Sequence, residues 1–200
     1  TNDGAPRVDR VVTQTAQGKK EEKEQRRAPA RPHGKGEMMG CDIHCYIEHR
    51  EKGRDRWDGF GGRINPGRDY ELFGRMAGVR TGAQPVVPLR GLPNDLAWDA
   101  EADSSLYIST EEYDGACTAE RAKYYVEKCG CSYINDAEGK PWRVTHPDRH
   151  SHSWLTSDEF AEALSRCEYG NGVEYLAVLA AMREMERLGH EVRLVFWFDN

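Results

Sequence analysis

The sequence contains no uninterrupted run of about 20 apolar residues, which is the length that a membrane-spanning helix needs. Its N-terminus also lacks the apolar core of a secretory signal peptide. These absences predict a soluble, intracellular protein without a membrane partner. In such a compartment the six cysteines are expected to stay reduced. Cys129 and Cys131 lie close together, but no second pair with zinc-finger spacing accompanies them to complete a four-ligand site.

Positive charge is also scarce, with 28 Lys and Arg residues against 34 Asp and Glu residues and a net charge of -6. Because nucleic-acid-binding proteins usually present a basic surface, this balance argues against a nucleic-acid partner. The average hides a difference between two segments. Residues 1–37 carry nine Lys and Arg against six Asp and Glu, whereas residues 38–200 carry 19 against 28. Such a difference is typical of a tail beside a folded domain.

Residues 1–37 contain no aromatic residue, no Leu and no Ile. Without apolar surface to offset the entropy cost of ordering, this segment is expected to be a disordered, charged extension ending in a Pro/Gly-rich linker. The chain has no initiating Met, while Met38 and Met39 directly precede the first strongly patterned segment. We therefore expect one globular domain over residues 38–200 and an upstream extension over residues 1–37.

The segment from Gly40 to Arg50 alternates between apolar and polar residues, as a half-buried β-strand does. The apolar side holds Cys41, Ile43, Cys45 and Ile47, and the polar side holds Asp42, His44, Tyr46 and Glu48. The closing segment, Val192 to Phe198, is dense enough in apolar residues to be a central buried strand. We expect both strands to lie in one central mixed β-sheet.

Two helices are predicted between these strands, over residues 156–165 and 173–188. Thr156 and Glu159 have the spacing of a capping box at the start of the first helix. The second helix repeats apolar residues at three- and four-residue steps, at Leu176, Leu179, Met182, Met185 and Leu188. The resulting fold class is α+β, a single domain in which a central mixed sheet carries the two C-terminal helices on one face.

Turn and capping residues predict shorter elements along the chain. They are a hairpin turn at Lys52-Gly53, a helix over residues 70–77, a helix from Thr118 to about Lys128 and a brief strand around Trp142 and Val144. Residues 79–105 and 145–153 are predicted to be loops. A loop as long as 79–105 is often functional.

Asp42 and His44 point to the same side of the first strand, which suits a metal site or an acid–base pair. Asp148, His150 and His152 are also spaced by two and would face one way in an extended loop. If the two groups converge, five ligands are available for a divalent metal such as Zn, Mn or Mg, which can activate water or hold a phosphate. The candidate catalytic residues are then Asp42, His44, His150 and His152. The alternative is that these residues form loop and cap hydrogen bonds, with His44 packed beneath a side chain.

A second group of residues is suited to binding a ligand directly. Arg80 and Arg90 offer forked donors for phosphate or carboxylate, and Arg90 lies in a loop shaped by Gly and Pro. Lys140 and Arg149 are further cations of this group. Trp98 and Tyr46 can stack on a nucleobase. The alternative is a structural role, in which the arginines pin a loop to backbone carbonyls and the aromatic residues pack in the core or at its rim.

The block MGCDIH, from Met39 to His44, resembles the start of a family of small uncharacterised proteins found mainly in phages and phage-like bacterial loci. The resemblance continues in separated blocks, namely Asp69-Tyr70, Leu72-Phe73, Ala77 to Arg80, Arg90 to Pro93, His150 to Thr156 and Val192 to Asn200. It covers most of residues 39–200 and excludes the segment before Met38. It implies a phage-type protein in the cytoplasm of a bacterial host, and it implies no catalytic residues.

The sequence leaves open whether the chain is an enzyme. The first hypothesis is a metal-assisted hydrolase acting on a phosphoester or nucleotide-like small molecule, with Arg90 binding the phosphate. The second is a non-catalytic module that binds or sequesters a small nucleotide-like ligand, as an anti-defence protein of a phage would. A structural or host-interaction protein without a small ligand is the third alternative. Convergence of the histidines would favour the first hypothesis, and convergence of Arg90 with the tryptophans the second.

Overall fold

The computed structural model describes residues 40–168 and 172–199. The predicted extension over residues 1–37 lies outside the described residues. The strands are β1 (Asp42–Glu51), β2 (Asp58–Ile64), β3 (Ser105–Ser109), β4 (Ala116–Thr118), β5 (Tyr133–Asn135), β6 (Pro141–Thr145), β7 (His150–Leu155) and β8 (His190–Asp199). The helices are α1 (Tyr70–Ala77), α2 (Trp98–Ser104), α3 (Ala119–Cys129), α4 (Ser157–Ser165) and α5 (Val173–Arg187). This combination confirms the predicted α+β class.

The central sheet has the strand order β2-β1-β8-β7. The first and last strands lie in one sheet, as predicted, and they are neighbours in it. They pair antiparallel along their whole length, from Asp42 opposite Asp199 to Glu51 opposite His190. The turn at Lys52-Gly53 joins β1 to β2 in the predicted hairpin. Every pairing in this central sheet is antiparallel, whereas the sequence predicts a mixed sheet. Among the described strands, a parallel pairing occurs between β3 and β4 in the second sheet.

The second sheet has the order β4-β3-β6-β5 and is built entirely from the middle of the chain. Helix α3 packs on it around a small core of Cys117, Ala122, Cys131 and Val144. Helix α3 and strand β6 were predicted from the sequence. Strands β4 and β5 were not, because three residues are too few to show an alternating pattern. Two of the cysteines therefore act as small apolar core residues.

The main core lies between one face of the central sheet and helices α1, α4 and α5. The sheet contributes Cys41, Ile43, Cys45 and Ile47 from β1 and Leu194, Phe196 and Phe198 from β8. Both C-terminal helices lie on this face, as predicted. Helix α5 is rotated from the predicted orientation, since its buried residues are Tyr175, Val178, Met182 and Met185. Leu176 and Leu188 are exposed instead.

Local capping interactions place the helix ends where the sequence predicts them. The Asp69 carboxylate accepts a hydrogen bond from the Leu72 N–H at 3.0 Å, and Gly78, with a φ of 71°, ends α1 in the left-handed region. Thr156 and Glu159 form a capping box, in which each side chain accepts from the backbone N–H of the other. Contacts within a few residues therefore fix where each of these helices begins.

Residues 79–105, predicted to be a loop, end in helix α2. The preceding part of the segment passes around the edge strand β7. Val86 packs on the main core, Leu92 packs on the opposite face of the sheet, and between them the Arg90 N–H donates to the Ser153 hydroxyl at 3.1 Å. This route brings α2 onto the polar face of β1. The helix was missed because its sequence, WDAEADS, has no apolar periodicity.

Strand β7 contains a bulge that separates His150 from His152. The sequence predicts a loop over residues 145–153, whereas residues from His150 onward form an edge strand. His150 lies opposite Phe198 and Ser153 opposite Phe196, so three steps on β7 match two steps on β8. Ser151, with a φ of 54°, accommodates the extra residue. In a regular strand His150 and His152 would share a face, because side chains alternate along it. The extra residue reverses this alternation and places the two histidines on opposite faces.

A buried ion pair lies on the polar face of the central sheet. Glu48 is fully buried and accepts from Arg193 Nε at 2.7 Å and from the Ala97 N–H at 2.7 Å. Arg193 also donates to the Asp95 carboxylate at 2.8 Å and stacks over Trp57 at 4.0 Å. Burial raises the pKa of Glu48, and Arg193 opposes this effect. These contacts anchor the segment that leads into α2.

Replacing Arg193 by Met is expected to lower the free energy of unfolding by about 3 to 5 kcal/mol, because Glu48 is then left buried without its cation. The double variant Glu48→Gln/Arg193→Met should recover part of this loss, since the buried charge is removed while Ala97 keeps an acceptor. Urea unfolding measured at pH 7 tests both expectations.

Arg187→Met is the matched control, because Arg187 pairs with Glu184 on the exposed surface of α5. This control should cost less than about 1 kcal/mol. An equal effect of Arg187→Met and Arg193→Met would contradict the structural role of the buried pair.

Candidate functional site

His44 lies between two carboxylates on the polar face of the central sheet. Its Nδ1 is 2.9 Å from Asp103 Oδ2, and its Nε2 is 2.8 Å from Asp199 Oδ2. The imidazole is 1% exposed. Arg149 joins the two carboxylates, at 2.8 Å from Asp199 and 3.5 Å from Asp103. We call His44, Asp103, Asp199 and Arg149 the His44 centre.

Four separate elements position these side chains. His44 is on β1, and Asp199 is the last residue of β8, which runs antiparallel beside it. Asp103 comes from the last turn of α2, and Arg149 directly precedes β7. Trp197, the register partner of His44, stacks on the imidazole with ring centroids 5.7 Å apart. The imidazole is therefore held at both nitrogens and on one ring face.

The flanking carboxylates determine what the centre can do chemically. Burial alone would raise the pKa of Asp103, but hydrogen bonds from His44 and from the Tyr46 hydroxyl outweigh this effect and lower the pKa to about 2. Burial also opposes ionisation of Asp199, yet His44 and Arg149 hold its pKa below the ordinary value. Both carboxylates are thus anionic at neutral pH. A neutral imidazole can donate to one of them and an imidazolium to both, so His44 is the group suited to exchanging a proton.

Arg149 connects the His44 centre to an open cavity of about 420 Å³. The cavity is lined by Cys129, Pro147, Asp148, Arg149 and His150. Arg149 Nε is buried and has no hydrogen-bond acceptor among residues 40–168 and 172–199. Arg63 Nη2 lies 3.3 Å from His44 Nε2. Two guanidinium groups beside one imidazole form a suitable environment for a phosphate or carboxylate ligand.

Asp42 and His44 share the polar face of β1, as predicted, but they bind different partners. Asp42 forms a two-point ion pair with Arg68, at 2.6 and 2.9 Å, and the hydrogen bond from Arg68 lowers the pKa of this carboxyl. Asp148 is exposed. Within the described ranges, no group of three or more His, Cys, Asp or Glu side chains is arranged to hold a metal ion. The predicted convergence of five ligands therefore does not occur there.

The β7 bulge explains why His150 and His152 do not join His44 as a pair. His150 stacks on Phe198 of the main core, with ring centroids 6.0 Å apart. His152 instead contacts Trp197 from the polar face, with centroids 6.1 Å apart. Burial, followed by the charge of His150 and nearby arginine, lowers the pKa of His152 to about 4. His152 is thus neutral at physiological pH and borders the centre through Trp197.

Arg90 and Arg80 are both engaged in contacts within the fold. Arg90 donates to Glu159 Oε2 at 2.7 Å and to the Trp154 carbonyl at 3.2 Å, and its guanidinium lies 4.2 Å from the Trp154 ring centre. Arg80 adopts a left-handed φ of 66° and hydrogen-bonds the Cys41 thiol. To bind a ligand, either arginine would first have to leave these partners.

The two aromatic residues predicted to bind a ligand differ in their placement. Tyr46 is buried, stacks on Trp197 with centroids 5.3 Å apart and donates its hydroxyl to Asp103 at 2.9 Å. Trp98 is 66% exposed at the first residue of α2. Tyr46 thus lies beside the His44 centre and supports Asp103, the acidic partner of the histidine. Binding of a ligand by Tyr46 or Trp98 stays a prediction.

Asp103 and Asp199 of the His44 centre were not among the predicted site residues, whereas Arg149 was named as a further cation for a phosphate. Asp199 would have been found if the first and last strands had been predicted to pair, because antiparallel pairing places the end of one beside the start of the other. Asp103 belongs to a helix without apolar periodicity, and Arg149 to a segment whose path depends on the second sheet. No local signal in the sequence connects these two residues to His44.

The fold and the site define an α+β protein with a buried histidine flanked by carboxylates. Comparison with protein-family models, curated proteins and solved structures finds no match to this chain. Across residues 40–168 and 172–199, no helix has both the length and the apolar character required to cross a membrane. The resemblance to phage proteins stays a prediction.

The low pKa of His152 predicts a specific pH dependence of stability. Its value of about 4 in the fold lies below the ordinary 6.5, so the unfolded chain takes up the proton first as the pH falls. The contribution of neutral His152 to the free energy of unfolding is fully present above about pH 6.5 and is lost between pH 6.5 and 4.

In urea unfolding, the difference in the free energy of unfolding between wild type and His152→Phe should change by about 3 kcal/mol over this range, since one pKa unit corresponds to about 1.4 kcal/mol.

Trp98→Phe is the control for this measurement, because Trp98 is 66% exposed and has no ionisable group. The difference in the free energy of unfolding between wild type and Trp98→Phe should therefore stay nearly constant between pH 6.5 and 4. A constant difference for His152→Phe as well would contradict the buried, neutral state of His152.

Proposed function

We propose that the His44 centre is the site of a hydrolase that acts on a phosphoester of a small, nucleotide-like molecule. The observation that carries the proposal is the orientation of His44. Asp103 holds Nδ1, while Nε2 is directed toward Asp199 and lies within 3.3 Å of Arg63. Orientation of an imidazole by a carboxylate at one nitrogen, with the other nitrogen toward the substrate, is a recurring arrangement for general acid–base catalysis.

The charges around His44 support a phosphate-containing substrate. Arg149 reaches the centre from the wall of the 420 Å³ cavity, and Arg63 approaches from β2. A phosphate held by these two arginines would take over the ion pairs that Asp199 now makes. His44 Nε2 would then accept a proton from the attacking water as the bond between phosphorus and the leaving oxygen breaks. The leaving group would depart as an alkoxide or phenoxide that takes up a proton from solvent, and the arginines would compensate for the charge on the phosphoryl oxygens.

The His44 centre would have to rearrange in order to bind a divalent metal. Binding at His44 Nε2 would require Asp199 to change its partner and Asp42 to leave Arg68. No step above depends on a metal. Elemental analysis of purified protein, and of an Asp42→Ala/His44→Ala variant, determines whether Zn, Mn or Mg accompanies the chain.

Non-catalytic binding of the same ligand is the second candidate function. It is favoured by the 2.8 Å contact of Asp199 with Nε2, which keeps the nitrogen from a water molecule in the ligand-free protein. Such a module would sequester a nucleotide-like signal, as the phage resemblance suggests. Binding without turnover distinguishes it from the hydrolase.

The hydrolase is tested with p-nitrophenyl phosphate, bis(p-nitrophenyl) phosphate and a panel of linear and cyclic nucleotides, each with EDTA and with added Zn, Mn or Mg. His44→Asn should reduce turnover by about 100-fold or more, which is the usual contribution of a positioned acid–base group. Far-UV circular dichroism and thermal unfolding confirm that the variant is folded.

His190→Asn is the matched control, because His190 lies at the opposite end of β8 from Asp199. It should keep the wild-type rate.

Calorimetry with the same nucleotides tests the second candidate, and Arg149→Met should weaken binding by about tenfold or more through loss of charged hydrogen bonds. Turnover that is unchanged in His44→Asn would refute the hydrolase. Failure to bind or cleave any phosphate compound would refute both candidates.

A further inference from the structure

A second pair of facing imidazoles lies at the other end of the central sheet. His49 of β1 and His190 of β8 approach each other with their Nδ1 atoms 3.1 Å apart. Their ring centroids are 4.9 Å apart and their planes are inclined at 71°. His49 is paired in register with Val192 and His190 with Glu51, so the two histidines are diagonal neighbours on one face of the sheet.

We propose that His49 and His190 form a chelating site for a divalent transition-metal ion such as Zn²⁺, Ni²⁺ or Cu²⁺. Neutral imidazole nitrogen is a favoured ligand for these ions. The proposal is independent of the His44 centre, because the two sites are at opposite ends of the ten-residue strands β1 and β8.

The separation of the two nitrogens matches the geometry of a shared ion. Imidazole nitrogens lie about 2.0 to 2.1 Å from Zn²⁺, so two nitrogens 3.1 Å apart subtend roughly 95 to 100° at the metal. This angle lies between those of octahedral and tetrahedral coordination. The two nitrogens are in hydrogen-bonding contact with each other, so an ion that binds both replaces the proton between them, and each ring turns its lone pair toward the ion.

The strands that carry the two histidines hold them in place before any ion arrives. β1 and β8 are paired without a break from the contact to the other end of both strands. Such preorganisation reduces the entropy lost on binding. Both imidazoles are partly exposed, so an ion can reach them and retain water in its remaining positions. Within the described residues no third converging ligand is present, which defines a two-imidazole chelate rather than a closed structural zinc site.

The neighbouring charges leave the two nitrogens accessible to a cation. Glu191 is paired with Arg50, and Glu51 forms an exposed pair with Arg54 at 3.2 Å. These pairs balance positive and negative charge around the histidines. Glu51 is also the cross-strand partner of His190, so an acidic side chain lies directly beside the site.

The test is titration of the untagged, full-length protein with NiCl2 and ZnCl2 at pH 7.5. Calorimetry should show saturable binding of one ion per chain, and His49→Asn and His190→Asn should each weaken it by about tenfold or more, since even loss of an outer-shell partner has effects of that size. His146→Asn is the matched control and should bind as the wild type does. Thermal unfolding shows whether each variant is folded.

Paramagnetic Ni²⁺ locates the site within the molecule. In amide NMR spectra, the signals of residues next to His49 and His190 should broaden first, while those next to His44 should stay sharp. No saturable binding, binding that persists in both histidine variants, or broadening centred on His44 would overturn the proposal. Phosphoester turnover in His190→Asn is measured separately, so failure of the chelate and failure of the hydrolase are distinguishable.

Discussion

The antiparallel pairing of β1 with β8 is the contact on which the rest of the structure depends. It joins residues separated by almost the whole described chain, from Asp42 opposite Asp199 to Glu51 opposite His190. One face of this pair supplies the apolar surface that α1, α4 and α5 cover. The other face carries the charged residues around which the remaining segment is arranged. The His44 centre lies toward one end of this strand pair, and the contact between His49 and His190 lies at the other end.

Buried polar groups on the polar face of the sheet hold the segment before α2 in place. Polar and charged groups lose hydration when they are buried, so each needs a partner within the fold. Glu48 and Arg193 bind each other, and the segment before α2 adds the Asp95 carboxylate and the Ala97 N–H. His44 has a partner in Asp103 of α2. Helix α2 is therefore held to the sheet by polar contacts more than by an apolar stripe. The geometry of the His44 centre and the packing of this face are consequences of the same contacts.

Features that depend on neighbouring residues were predictable from the sequence. The Asp69 cap, the Thr156 capping box and the alternation of β1 act over a few residues, and the structure confirms each of them. The buried face of α5 was not, because its apolar residues cover a broad arc. The hydrogen bond from the Tyr175 hydroxyl to the Gly67 carbonyl, at 2.6 Å, favours the orientation in which Tyr175 is inside. That choice depends on a residue more than 100 positions away along the chain.

The sequence by itself determined the α+β class, the capped helices and the two strands that form the centre of the sheet, because hydrophobic period and capping are local properties. It also singled out His44. The tertiary structure alone decided its partners, since Asp103 and Arg149 reach it from segments without a periodic pattern. It also decided that His150 and His152 lie on opposite faces, because one extra residue at Ser151 reverses the alternation of a strand.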